Sequence, residues 1–355
     1  MTPREGQIME LLRKNPGMSQ KEIAKELNIT RSGVSTHINN LVSAGYILGR
    51  GYILREEDYI TVIGGANMDI IGETRERLIP RDSNPGKIIY SSGGVGRNIT
   101  ENLARLQCNV TFISVLGHDD VGKRMEQELR DLNVDTSNIL YGQGETPHYL
   151  AVMNEDRDME VAISDMEMVN LLNAKFLQRK KKIIESSLYT VLDTNLSQEA
   201  LDELFLKIEG KYLVDGVSTS KIMKLKNHLS KIHFLKANIY EAQVLTSHTG
   251  TVEEMAEELL QQGLQSLVIT MGSKGAYYRD HHQDCFLSAK PVDIVNASGA
   301  GDAFMAGYVY GLFHEYEIKQ RLQFATACSR IALQSSGTSS EQFTLENIKG
   351  ELKRC

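Results

Sequence analysis

The chain has 355 residues, 41% of them hydrophobic and 24% charged, with no tryptophan and four scattered cysteines, Cys108, Cys285, Cys328 and Cys355. That composition excludes disordered, fibrous and disulfide-framed classes, and the length predicts about two domains. No stretch nears the roughly 18 apolar residues of a membrane span and Met1–Glu5 lacks a signal-peptide core, so a cytoplasmic protein without a membrane partner is expected.

The net charge of −7 is unevenly spread: residues 1–55 hold eight basic and four acidic residues, net +4, which leaves −11 on the other 300. A basic head on an acidic body suits a nucleic-acid contact confined to the head. There, Ile8, Leu11 and Leu12 recur at helical spacing up to the breaker Asn15-Pro16-Gly17, predicting a first helix. Ser19 and Glu22 form the capping box of a second, with Ile23, Ala24 and Leu27 turned inward and an end near Asn28. Thr30 caps a third, whose apolar stripe Val34, Ile38, Leu41 and Val42 runs to Gly45. Two short helices about the turn Leu27-Asn28-Ile29-Thr30 predict a helix-turn-helix, with the outward residues Arg31, Ser32, Ser35, Thr36 and Asn39 of its second helix aimed at a major groove. Residues 46–54 read as a two-stranded ribbon with Arg50 at its tip. Residues 1–55 thus resemble a winged helix-turn-helix domain, with Arg31, Ser32, Ser35, Thr36 and Arg50 as candidate DNA-binding residues. A head that only dimerises or docks is the alternative, and residues 56–58 are expected to be a linker.

From Tyr59 the pattern changes. Ile60-Thr61-Val62-Ile63 runs into Gly64-Gly65, and apolar strands at 110–115, 188–192, 212–214, 232–235 and 267–270 alternate with amphipathic helices. Residues 56–355 are therefore expected to form a three-layer α/β unit with a mainly parallel central sheet that collects ligands at its carboxyl edge. Residues 87–91 and 149–163 read as extended with no helix between, a small β lid. Gly117 to Lys123 fits a phosphate-loop pattern, but Arg124 stands where that loop needs a magnesium-binding Ser or Thr, so it is set aside.

The segment Asn296-Ala297-Ser298-Gly299-Ala300-Gly301-Asp302-Ala303 carries the chemistry. Small residues from Ser298 to Gly301 let backbone N–H groups approach a phosphate, and a helix beginning at Asp302 aims its positive end at the same point. A carboxylate at the helix start can take a proton from an attacking hydroxyl. Alone, such a segment is equally a helix cap. It is accompanied, in chain order, by Asn67-Met68-Asp69, by Gly93-Gly94-Val95-Gly96-Arg97-Asn98 before a helix, by Asn238-Ile239-Tyr240-Glu241 and by Thr270-Met271-Gly272-Ser273-Lys274-Gly275.

Together these resemble the ribokinase-like, pfkB-type family of carbohydrate and nucleoside kinases over nearly the whole body. The resemblance implies Asp302 as catalytic base, Gly299, Ala300 and Gly301 as anion hole, and Asn67, Asp69, Gly93, Gly94 and Asn98 as sugar-binding residues. It implies ATP at Asn238, Thr270, Gly272, Gly275 and Gly337, and Mg2+ held by Asn238 and Glu241 largely through water. Asn296-Ala297 stands where cation-activated members carry Asp-Thr, which leaves a monovalent cation open, and Val95 replaces a lysine common in ribokinase. Asp82 to Lys87, Gly93 to Ile99 and Ala162 to Met166 are most similar to pseudouridine kinases, which phosphorylate a 5′-hydroxyl. Another sugar or nucleoside kinase, and a ligand-sensing transcription regulator on a kinase fold, are the alternatives, and a homodimer is expected from the family.

Overall fold

A computed structural model describes residues 1–49, 53–54, 58–156, 158–246, 250–335, 337 and 340–353. The head consists of α1 (Pro3–Lys14), α2 (Gln20–Glu26), α3 (Arg31–Ser43) and an antiparallel ribbon of β1 (Ile47–Gly49) and β2 (Ile53–Leu54), with Ile47 opposite Leu54. Each helix start is satisfied locally: Thr2 with Glu5 and Ser19 with Glu22 form reciprocal capping boxes, and Thr30 Oγ1 accepts the Gly33 N–H at 3.1 Å. Ile8, Leu12, Ile23, Val34, Ile38 and Leu41 make the small core. Val42 is 48% exposed and does not belong to that stripe, because a helix turns it about 100° from Leu41 and out of the core. Arg50, expected at the ribbon tip, lies outside the described residues.

The body continues with β3 (Ile60–Ile63), β4 (Asn67–Thr74), β5 (Gly86–Gly93), α4 (Val95–Arg105), β6 (Val110–Ile113), β7 (Val115–Gly117), α5 (Asp120–Asp131), β8 (Leu140–Gly142), β9 (His148–Met153), β10 (Met159–Asp165), α6 (Ala174–Ser186), β11 (Tyr189–Asp193), α7 (Gln198–Lys207), β12 (Tyr212–Asp215), α8 (Thr219–Ile222), β13 (Ile232–Asn238), α9 (Ile239–Thr246), α10 (Val252–Gln261), β14 (Ser266–Thr270), β15 (Ala276–Asp280), β16 (Asp284–Leu287), α11 (Ala300–Phe313), α12 (Ile318–Leu333) and α13 (Leu345–Leu352). The central sheet has the order β16-β15-β14-β13-β12-β11-β3-β6, parallel from β14 to β6 with β15 and β16 antiparallel at one edge. One face packs on α6, α7, α9 and α10 through residues such as Leu177, Leu201, Leu245 and Leu259, and the other on α4, α5 and α11 through Ile99, Met125, Phe304 and Tyr308. This is the three-layer arrangement that strands apolar on both faces require. No described helix is long and apolar enough to cross a membrane.

The lid is a separate four-stranded sheet, β10-β9-β4-β5. The sequence marked β5, β9 and β10 but read Asn67–Asp69 only as a strand end. The structure makes β4 an inner lid strand, antiparallel to β5 and parallel to β9.

Candidate active site

Register alone brings the motifs to one edge. Ile63 lies opposite Leu192, Asp193 opposite Asp215, Asp215 opposite Lys236, and Asn238 opposite Thr270, so the loops after five adjacent strands open at the carboxyl edge of the sheet.

Facing that edge, Gly299 takes a left-handed conformation (φ 78°) as the N-cap of α11, and no side chain caps the helix. The left-handed turn is natural to glycine and leaves the first-turn N–H groups available to an anion, with the helix dipole behind them. Asp302 is in that first turn and only 9% exposed; the Asn98 amide nitrogen donates to its Oδ2 at 2.8 Å. Burial, with the nearby charge of Asp215, pushes the Asp302 carboxyl up to about 7, against the opposing pull of Lys236. A carboxyl poised there can exchange a proton near neutral pH.

Lys236 is the central cation of this cluster. Its Nζ bonds Asp215 Oδ2 at 2.9 Å and lies 2.8 Å from where a Cβ on Gly301 would sit. Burial would lower its titration, but Asp215 and Asp302 hold it above the ordinary lysine value. Asp193, buried, accepts the backbone N–H groups of Gly65 at 3.0 Å and Gly96 at 2.9 Å, clamping the loop after β3 to the start of α4. Burial raises its carboxyl to about 6. None of Asp193, Asp215 and Lys236 was singled out from sequence, although a signal exists: an ionisable residue closing or interrupting an otherwise buried apolar strand is costly without a task or a partner.

On the lid side, Asn67 Nδ2 donates to Asp69 Oδ1 at 2.6 Å, and the Asp69 carboxylate lies over Gly93, where any Cβ would be 2.1 Å from Oδ2. Burial raises Asp69, offset by Asn67 and by the charge of Arg97. Arg97, also missed from sequence, is buried and ties the Ser92 carbonyl of β5 (3.1 Å) to Glu101 of α4 (2.9 Å) and Glu128 of α5 (2.8 Å). Gly94 is the N-cap of α4 and Asn98 lies one turn along that helix, so Asp69, Gly93, Gly94, Asn98 and Asp302 form one continuous wall. Asn98 Oδ1 is buried with no partner among the described residues, an acceptor open to a hydroxyl donor.

The remaining residues gather at the far end of the edge. Asn238 and Glu241 close on each other: the Asn238 N–H and Nδ2 donate to Glu241 at 2.9 and 2.7 Å, and the Glu241 N–H returns to Asn238 Oδ1 at 2.9 Å. With both Glu241 oxygens occupied, the pair suits a hydrated ion better than direct ligation, in keeping with magnesium's reluctance to shed water. Among the described residues no cluster of three or more metal-binding side chains exists. Thr270 ends β14 beside Asn238, Gly272 faces open space, and Gly275 (φ 119°) sits where a Cβ would be 2.0 Å from the Leu287 carbonyl oxygen. Gly337 follows α12, whose Leu333 carbonyl accepts the Val295 and Asn296 N–H groups at 2.8 and 3.2 Å, so the chain toward Gly337 departs beside the strand of residues leading to Gly299. The discarded phosphate loop is a fastener: Asp119 accepts the N–H groups of Gly122 and Thr146, both at 2.8 Å, joining α5 to the entry of β9.

In the head, Arg31, Ser32 and Thr36 are exposed along α3 and Ser35 is half-buried.

Both parts of the chain are similar to known proteins. Residues 57–344 match the pfkB family carbohydrate kinase profile, and residues 1–47 match a winged helix-turn-helix DNA-binding profile. The chain is 36% identical to the uncharacterized sugar kinase YeiI of Escherichia coli K12, covering 98% of both chains. It is 35% identical to the pseudouridine kinase of the same organism, covering 83% of this chain and 96% of that one. A carbohydrate kinase structure from Agrobacterium tumefaciens superposes with a TM-score of 0.72 at 27% identity, over 84% of this chain and 97% of that one.

Proposed function

The chain belongs to the pfkB family of carbohydrate kinases, and from that premise we propose that it transfers the γ-phosphoryl group of ATP to the 5′-hydroxyl of a nucleoside, pseudouridine before others. The observation that carries the proposal is the meeting of Asp302, held by Asn98, with the uncapped Gly299 turn at the start of the same helix. Asp302 takes the hydroxyl proton as the oxygen attacks the γ-phosphorus, the bond from that phosphorus to the β,γ-bridging oxygen breaks and ADP leaves; the backbone N–H groups of Gly299, Ala300 and Gly301 stabilise charge on the transferring group. Asn67, Asp69, Gly93, Gly94 and Asn98 hold the ribose hydroxyls, with Asn98 Oδ1 as the open acceptor. Asn238, Thr270, Gly272, Gly275 and Gly337 line the ATP site, and Asn238 with Glu241 would hold Mg2+ through water. Magnesium, when bound, neutralises phosphate charge. Choice of pseudouridine is supported by the 35% identical relative. The test is kcat/KM with ATP and Mg2+ across pseudouridine, uridine, ribose and fructose: pseudouridine is expected to lead, and ribose leading overturns the substrate assignment.

The head would have a second role beside catalysis, binding of duplex DNA through Arg31, Ser32, Ser35 and Thr36 of α3, with Arg50 in or beside the minor groove. Arg31→Ala with Arg50→Ala is expected to weaken binding on every sequence without changing turnover; unchanged binding overturns it. The outer lid face, where paired rows leave Ile88, Tyr90, Leu150, Val161 and Ile163 exposed, is proposed to pair two copies. Light scattering of the Tyr90→Glu, Ile163→Glu variant checks it, with a monomer expected.

A further inference from the structure

The helix on which the head rests is strongly basic although the body as a whole is net acidic. In α6, Lys175, Arg179, Lys180, Lys181 and Lys182 face a single acidic residue, Glu185. Two of the five are engaged within the body: Lys180 Nζ donates to Asn138 Oδ1 at 2.9 Å, and Lys181 Nζ to the Lys207 carbonyl at 2.9 Å. The other three, Lys175, Arg179 and Lys182, recur at i, i+4 and i+7 and are exposed, forming one stripe on one helix face. Arg179 is held in place, its guanidinium carbon 5.6 Å from the centre of the buried Phe176 ring.

The stripe begins at the DNA-reading helix. Lys182 Nζ donates to Asn40 Oδ1 at 2.9 Å, and Asn40 follows the outward Asn39 on α3. The end of α3 is seated on the same stretch: the Tyr59 hydroxyl donates to the Ile183 carbonyl at 2.6 Å and reaches the Ala44 carbonyl at 3.5 Å. From there the stripe runs about 10 Å along α6, at ~1.5 Å per residue, the length of roughly three phosphates on one DNA strand.

We infer that the Lys175, Arg179 and Lys182 face of α6 is a second DNA-contacting surface, gripping backbone phosphates of the duplex beside the half-site read by α3. The inference rests on the reading that the head binds DNA. A duplex fits better than an acidic protein because the stripe continues from α3, and because exposed cations recurring along one helix face suit a regular phosphate backbone rather than a folded surface. The surface adds affinity and salt dependence but no sequence preference, and it makes the kinase body part of the DNA footprint.

The test uses the full chain with Lys175→Ala and Arg179→Ala, leaving Lys182 and the head's seat intact. Affinity for duplexes recovered by random-sequence selection is followed by fluorescence anisotropy from about 50 to 250 mM salt. Loss of two phosphate contacts is expected to flatten the log–log salt slope by about 1.8, with the ranking of sequences and the nucleoside kcat/KM unchanged. Trimming the duplex to the α3 half-site should abolish the difference between variant and parent. An unchanged slope overturns the α6 surface while leaving DNA binding by the head standing, as does a variant that loses heparin affinity but no DNA affinity. Absence of salt-dependent DNA binding by the unmodified chain overturns both.

Discussion

Replacing Lys236 by Met tests whether the buried cation sets the charge state of Asp302. Lys236 Nζ sits 2.8 Å from the Cβ position of Gly301, the neighbour of Asp302, and opposes the rise in the Asp302 carboxyl that burial and Asp215 produce. Taking about 5 Å between the charges and an effective dielectric of ~20, loss of the attraction amounts to about 3 kcal/mol, or about two pH units. Asp215, left without its partner, pushes in the same direction. A general base works ionised, so the acid limb of kcat/KM, expected near 7 in the parent chain, should move upward by one to two units, roughly the estimated electrostatic loss. Activity lost at pH 7 should then return by about pH 9. The assay is initial-rate kinetics with saturating ATP across that range, beside a thermal melt, since breaking a buried ion pair costs about 3–5 kcal/mol. A folded variant whose limb stays in place, with only a lower plateau, would refute the assigned coupling.

Asp302→Asn should lower turnover by at least about a hundredfold with ATP affinity retained in calorimetry. The same variant should melt above the parent chain at pH 8.5: a carboxyl raised by folding contributes stability below its unfolded value that is lost as pH climbs through about 7, so the difference should vanish near pH 4. Gly93→Ala, whose Cβ would lie 2.1 Å from Asp69 Oδ2, should raise the nucleoside KM at least about tenfold while the ATP KM holds, as steady-state kinetics can read. Gly275→Ala, with a Cβ 2.0 Å from the Leu287 carbonyl oxygen at φ 119°, should weaken ATP binding and lower the melting temperature.

Features written in contiguous residues were legible. The Ser19–Glu22 box, the Asn238–Glu241 pair and the apolar strands all depend on neighbours within a few positions, and the sequence order of the motifs carried the family resemblance; the helix expected from Asp302 instead starts at Ala300, because Gly299 takes the left-handed cap. Features made by register were not. Asp193, Asp215 and Lys236 arrive on three different strands and acquire meaning only when β11, β12 and β13 lie side by side. The strand β4 was missed beyond Asp69 because its outer half, Ile70 to Thr74, is only partly buried and lacks the apolar run of a sheet core. Val42 was misassigned because it adjoins Leu41 and both are apolar, so composition alone cannot choose which one turns inward. Arg97 stood inside a quoted motif, yet its ties to Ser92, Glu101 and Glu128 join three elements that sequence spacing does not relate.

The central claim is that Asp302 and the Gly299 turn move a phosphoryl group from ATP onto a nucleoside 5′-oxygen. Phosphorus–proton correlation NMR of the product formed from ATP, Mg2+ and pseudouridine tests it most directly. The account predicts a single phosphate coupled to the 5′-methylene protons, formed by the parent chain and nearly absent with Asp302→Asn. Phosphate on another oxygen, or equal product from the Asn variant, would contradict it.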